Sequence, residues 1–108
     1  MSVHVIDANN IKTIDALHAV FYNEFKFPSY YGNNMNAWID CMSDLDEPAL
    51  IYIENIVVIK GTEVYDAIIE CSAFVNYRMM DNGKPIITLA FWDQDHIAKG
   101  NLKIEKVV

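Results

Sequence analysis

Residues 49 to 54 read ALIYIE, an almost unbroken apolar run that begins directly after Pro48. That pattern is expected of a strand covered on both faces, as in a parallel sheet. Parallel neighbours can be joined only by long crossovers, ordinarily helices. Both ingredients flank the run. Val3 to Ile6 is a short β-rich stretch closed by Asp-Ala-Asn-Asn, whose side chains suit a turn, and Pro85-Ile-Ile-Thr-Leu-Ala-Phe-Trp is a third strand.

The intervals carry helical periodicity. Thr13 is positioned as an N-cap with Asp15 in the first turn, ahead of Leu17, Val20, Phe21 and Phe25, and this helix ends before Pro28. Gly32, Asn33 and Asn34 make a turn with a built-in cap for a second helix, from about Asn34 to about Asp44. Thr62 is placed to cap a long third helix whose core stripe is Val64, Ile68, Cys71, Phe74, Val75 and Met79, stopping at Asp81-Asn-Gly. Ile56 to Ile59 is compatible with either an extended or a short connecting segment. The expected fold class is α/β, a small three-stranded parallel sheet packed with helices and joined by right-handed crossovers. The alternation in Leu102-Lys-Ile-Glu-Lys-Val adds a C-terminal edge strand whose lysines discourage pairing with other chains. The 108 residues, 53% of them hydrophobic, are expected to form one domain, with no repeat or linker.

Charge narrows the function. The net charge is -7, from 15 acidic and 8 basic residues, which argues against direct binding of nucleic acid or an anionic membrane. Residues 1 to 55 hold eight acids (Asp7, Asp15, Glu24, Asp40, Asp44, Asp46, Glu47, Glu54) and two bases (Lys12, Lys26). Between Lys26 and Lys60 there are five carboxylates and no Lys or Arg, a surface suited to a basic partner. The N-terminus has no basic stretch leading into an apolar run, and no segment approaches the ~20 apolar residues of a membrane span. A cytoplasmic location is expected. Cys41 and Cys71 lack metal-ligand spacing and read as buried thiols in a reducing compartment.

On the second helix Trp38, Cys41, Met42 and Leu45 fall at i, i+3, i+4 and i+7, one apolar stripe for the sheet. Stepping about 100° per residue puts Asn36, Asp40 and Ser43 opposite, with Met35 and Ile39 on a flank. Tyr30 and Tyr31 stand at the helix mouth, just before Gly32. Aromatic anchors and an acid without a neighbouring cation make a recognition patch.

The stretch FPSYYGNNMNAWIDCMSDL resembles the second-helix region of the barstar family, intracellular inhibitors of the secreted ribonuclease barnase. Upstream, VIDANNIKTIDALHAVFYNEFKFP is similar to that family's first strand and helix, with its Ile and Leu-His phrase looser here as Ile11, Leu17 and His18. The resemblance is good over residues 3 to 54, weaker through the long helix, and has no counterpart after Asp93, so 93–108 reads as a family-atypical extension. It implies an inhibitor that plugs a ribonuclease active site one to one, with an acid in place of the RNA phosphate. By position it assigns Tyr30, Gly32 and Asn34 to the contact, Asp40 to the central anchor, and Met35 and Ile39 to the contact surface. The partner-facing set is completed by Tyr31, Asn36, Ser43 and Asp44.

Two positions depart from the family. Its other second-helix carboxylate is Asn36 here, and the acid of its long helix falls at Asn76, with Glu70 or Asp81 as substitutes. The target is therefore a basic ribonuclease, or another basic toxin countered by an immunity protein of the same scaffold. A self-associating module, built on the Tyr and Met flank and the tail, is a third reading. An enzyme would need Cys41 activated by His4, His18 or His96, which show no motif, and neither a cofactor nor a metal site is expected.

Overall fold

In the computed structural model, which describes residues 1–83, 86–92 and 103–106 (backbone alone for Trp92 and the last four), the central apolar run is strand β2, Ala49–Glu54. Strands β1 (Ser2–Asp7) and β3 (Ile87–Trp92) pair with it in parallel. Strand β4 (Lys103–Lys106) pairs antiparallel with β3, giving the order β1-β2-β3-β4.

The register builds the core in rows. Ile6, Ile53 and Phe91 align, then Ile51 with Leu89, then Ala49 with Ile87, and all are buried. The alternate residues of β2, Leu50, Tyr52 and Glu54, are only half-buried, so the strand is not covered equally on both faces as its composition implied. The topology explains this. With strands in sequential order, right-handed crossovers place every connecting helix on the same side of the sheet.

Helix α1 (Ile14–Phe25) starts as expected, with the Thr13 hydroxyl accepting from the Ala16 N–H at 3.1 Å. It stops at Lys26, whose left-handed φ of 54° turns the chain toward Phe27 and Pro28. Helix α2 spans Met35–Ser43 and α3 spans Glu63–Asp81. Residues Ile56–Val58 form a single 3-10 turn, which settles the ambiguous stretch. Side chains three apart eclipse in that geometry, and Ile56 and Ile59 are the two that reach the core. Thr62 occupies the cap position of α3, but its hydroxyl donates back to the Ile59 carbonyl at 2.6 Å and caps nothing. At the same carboxyl end of β1 and β2, Asp7 accepts from Asn55 Nδ2 at 3.0 Å and from the Asn9 N–H at 2.9 Å. The Asn55 bond above all holds the Asp7 carboxyl below its ordinary pKa.

The buried stripe of α3 is Val64, Ile68, Ser72, Val75, Asn76 and Met79. Cys71 is half-buried, and Phe74, expected in the core, is 67% exposed beside an exposed Tyr77. Asn76 determines this rotation. Its Oδ1 accepts from the Ile87 N–H at 2.6 Å and its Nδ2 donates to the Ile87 carbonyl at 3.0 Å, so the side-chain amide serves β3 as a neighbouring peptide would. Being wholly buried, Asn76 offers a partner nothing in place of the long-helix acid expected at this position. Replacing Asn76 by Ala strands two backbone groups in the core and is expected to cost about 2–4 kcal/mol, measured by urea unfolding. Asn76→Asp, which sets a carboxylate against the Ile87 carbonyl, should cost no less.

Candidate partner-binding interface

The approach to α2 is a tight turn fixed by one side chain. Asn34 has extended backbone, accepts from the Ala37 N–H through Oδ1 at 2.9 Å, and donates through Nδ2 to the Gly32 carbonyl at 3.3 Å. Asn33 adopts φ 52° to reverse the chain. A Cβ on Gly32 would lie 3.0 Å from Asn34 Nδ2, so glycine lets the cap close. Gly32 and Asn34 are both exposed where this turn meets solvent.

The two tyrosines before the turn have opposite roles. Tyr30 is 86% exposed, free to lay its ring on a partner. Tyr31 is 8% exposed, packed on Phe27 with ring centres 4.8 Å apart, and its hydroxyl meets His18 Nδ1 at 2.5 Å. The expectation that Tyr31 flanks the contact is therefore corrected: an aromatic ring with a buried hydrogen-bond partner gains more inside than at a rim. Tyr31 bolts the turn to α1. Burial pushes its phenol up to about 12, with the Cys41 thiol adding to the shift. Burial also lowers the His18 pKa, against a smaller opposing pull from Asp15.

Within α2, Trp38 and Met42 are wholly buried, Trp38 meeting the Phe21 ring edge-on at 5.5 Å. Cys41 and Leu45 complete the stripe only as half-buried side chains. The Cys41 pKa is raised, by burial first and then by Asp44 and Asp40, which is the reverse of what a nucleophilic thiol requires. His4 is engaged with Glu24 at 2.8 Å and His18 with Tyr31, while His96 lies outside the described residues.

Opposite the stripe, Asn36, Asp40 and Asp44 are exposed at i, i+4 and i+8, a continuous ridge. Met35 and Ile39 are half-buried beside it, packed on the core. Ser43 does not belong to the ridge. It is 6% exposed and donates to the Ile39 carbonyl at 2.6 Å, on a helix that packs against α3 as well as against Phe21 of α1 and so has more than one covered sector.

The larger correction concerns Asp40. Arg78 Nη1 of α3 donates to Asp40 Oδ1 at 2.7 Å, so the acid has a cation after all. Both side chains stay open to solvent, Asp40 by 70% and Arg78 by 50%. Sequence reasoning missed this residue because the partner comes from 38 positions away. One signal was available, since Arg78 is the sole arginine in the chain.

Residues 1–89 match the family model described as Barstar (barnase inhibitor). The chain belongs to the barstar family. It is also 33% identical, over 52 residues, to the Bacillus subtilis (strain 168) protein named "Putative ribonuclease inhibitor YrdF". That alignment covers 47% of this chain and 57% of the relative's length, so the chain spans a little over half of that protein. Barstar-family proteins are inhibitors rather than enzymes. Among the described residues no helix is long and apolar enough to cross a membrane.

The buried His18–Tyr31 pair carries a pH signature. A histidine whose folded pKa is lowered gives full stability above its ordinary value, about 6.5. Below that value the unfolded chain takes up a proton that the folded one refuses, so stability falls until the lowered folded pKa is passed. Urea midpoints measured from about pH 8 down to about pH 5.5 should fall, and His18→Gln should flatten that slope.

Proposed function

We propose that this barstar-family chain inhibits a basic ribonuclease, one to one, by seating the Tyr30–Asn34 turn and the exposed ridge of α2 in the catalytic cleft. The observation that carries the reading is Asp40, 70% exposed, midway along a ridge whose other members, Asn36 and Asp44, are also exposed. Its carboxylate offers a cationic cleft what an RNA phosphate offers, charge-assisted acceptors of fixed direction. Tyr30 adds aromatic area, Gly32 and Asn34 admit close backbone approach, and Met35 and Ile39 form the apolar margin. The net charge of -7 speeds encounter with a basic enzyme.

The bond to Arg78 does not remove this role. A solvent-exposed ion pair is worth roughly 0–1 kcal/mol, and a carboxylate drawn into a dry cationic cleft gains more than that. On this reading the free chain is a cytoplasmic monomer. Asn36 favours a second reading on the same face, an immunity protein against a different basic toxin, since losing one acid from the ridge weakens the match to a barnase-type site.

Inhibition of barnase tests the reading. Asp40→Ala is expected to cost at least about 2 kcal/mol, or about 30-fold in the inhibition constant, as removal of an anchor from a buried charge pair does. The barnase and barstar pair is itself a defining case for such magnitudes, so the figure is carried over from that class. Asn36→Asp should tighten barnase binding; an unchanged constant would overturn the account of the divergence. Asp40-dependent capture of another basic toxin, with barnase untouched, would establish the second reading.

A further inference from the structure

The Arg78 bond to Asp40 uses one nitrogen and one oxygen, and Asp40 Oδ2 accepts from nothing among the described residues. The geometry is that of a cation holding a site that a partner's cation must enter. Arg78 also has somewhere to go. It lines a surface depression on α3 with Glu70, Phe74, Tyr77 and Asp81, which offers two carboxylates and two ring faces to a displaced guanidinium.

We propose that Arg78 is a specificity-determining residue of the α2 interface: it occupies Asp40 in the free protein and yields it only to a partner whose cationic cleft binds the carboxylate better. The inference rests on the reading of α2 as the nuclease-binding face and adds a threshold to it. A partner bearing a single exposed lysine gains nothing by the exchange, because it swaps one screened pair for another. A cleft that presents clustered, desolvated guanidinium or ammonium groups gains enough to displace Arg78. Selectivity arises from the competing internal contact as much as from the attractive one. Until it turns away, Arg78 also places a positive charge where the partner brings its own, which slows encounter.

Barnase is the probe, with association rate and equilibrium binding measured at low and high salt for the wild type, Arg78→Gln, Arg78→Lys, Asp40→Asn and the Arg78→Gln, Asp40→Asn double variant. Arg78→Gln is expected to bind about three- to tenfold more tightly than the wild type, mostly through association rate, with the gain shrinking as salt rises. Arg78→Lys should fall between them, since it keeps the charge and loses the planar fork. In the Asp40→Asn background the gain from Arg78→Gln should be markedly smaller. Arg78 is half-exposed, so thermal unfolding of each variant should match the wild type within a few degrees.

Equal gains in both backgrounds would overturn the proposal, leaving Arg78 as a distant charge, and weaker binding by Arg78→Gln would overturn it by making Arg78 a direct contact. If Asp40→Asn weakens binding while Arg78→Gln changes nothing, the competing contact is refuted and the inhibitory reading survives. If barnase binds all five alike, both fall together; if it binds none of them, both fall for a barnase-type cleft and only the second reading, a different basic toxin, stands.

Discussion

Burial of Trp38 is what allows a helix as short as α2 to hold a polar ridge steady. Nine residues are too few to be stable alone in water, so α2 exists because its inner side chains pack. Trp38 rests on Phe21, Met42 lies beside it in the core, and Asn34 closes the first turn from outside. The indole Nε1 has no hydrogen-bond partner among the described residues, a cost that the area buried by the ring offsets. The solvent side of α2 is thereby left free to carry groups that do nothing for the core, which is the condition under which side chains can be spent on recognition.

Much of this architecture was legible from local pattern. The apolar run at Ala49, the β-rich stretch at Val3 and the two helical intervals imply a parallel sheet, and the caps at Thr13 and Asn34 lie where short-range chemistry puts them. The errors share a cause. A helical wheel assumes a single covered sector, and both α2 and α3 have covered sectors set by elements distant in sequence. Ser43 goes inside because α3 is there, and Phe74 goes outside because Asn76 is claimed by the backbone of β3. Tyr31 was misassigned for the same reason, as its partner His18 belongs to α1. No short-range rule contains these pairings.

The site followed the same division. That α2 exposes Asn36, Asp40 and Asp44 could be read from spacing, while the electrostatic state of Asp40 could not. The stretch between Lys26 and Lys60 does hold five carboxylates without a base, yet in the folded molecule its central acid borrows a cation from α3. Charge counted along a chain and charge felt at a surface are different quantities, and here the second is the one a partner meets.

Asn76 and Arg78 stand two residues apart on α3 and face in nearly opposite directions, one clasped to the first residue of β3 and the other reaching over to α2. Any roll of the helix that carried Arg78 clear of Asp40 would tear the Asn76 amide from Ile87. The main chain is thus held in place, and only χ rotation of a long side chain remains to let the guanidinium depart. Such rotations take picoseconds to nanoseconds, far faster than diffusional encounter, so the fold handles the exchange of counterions without any rearrangement of its backbone.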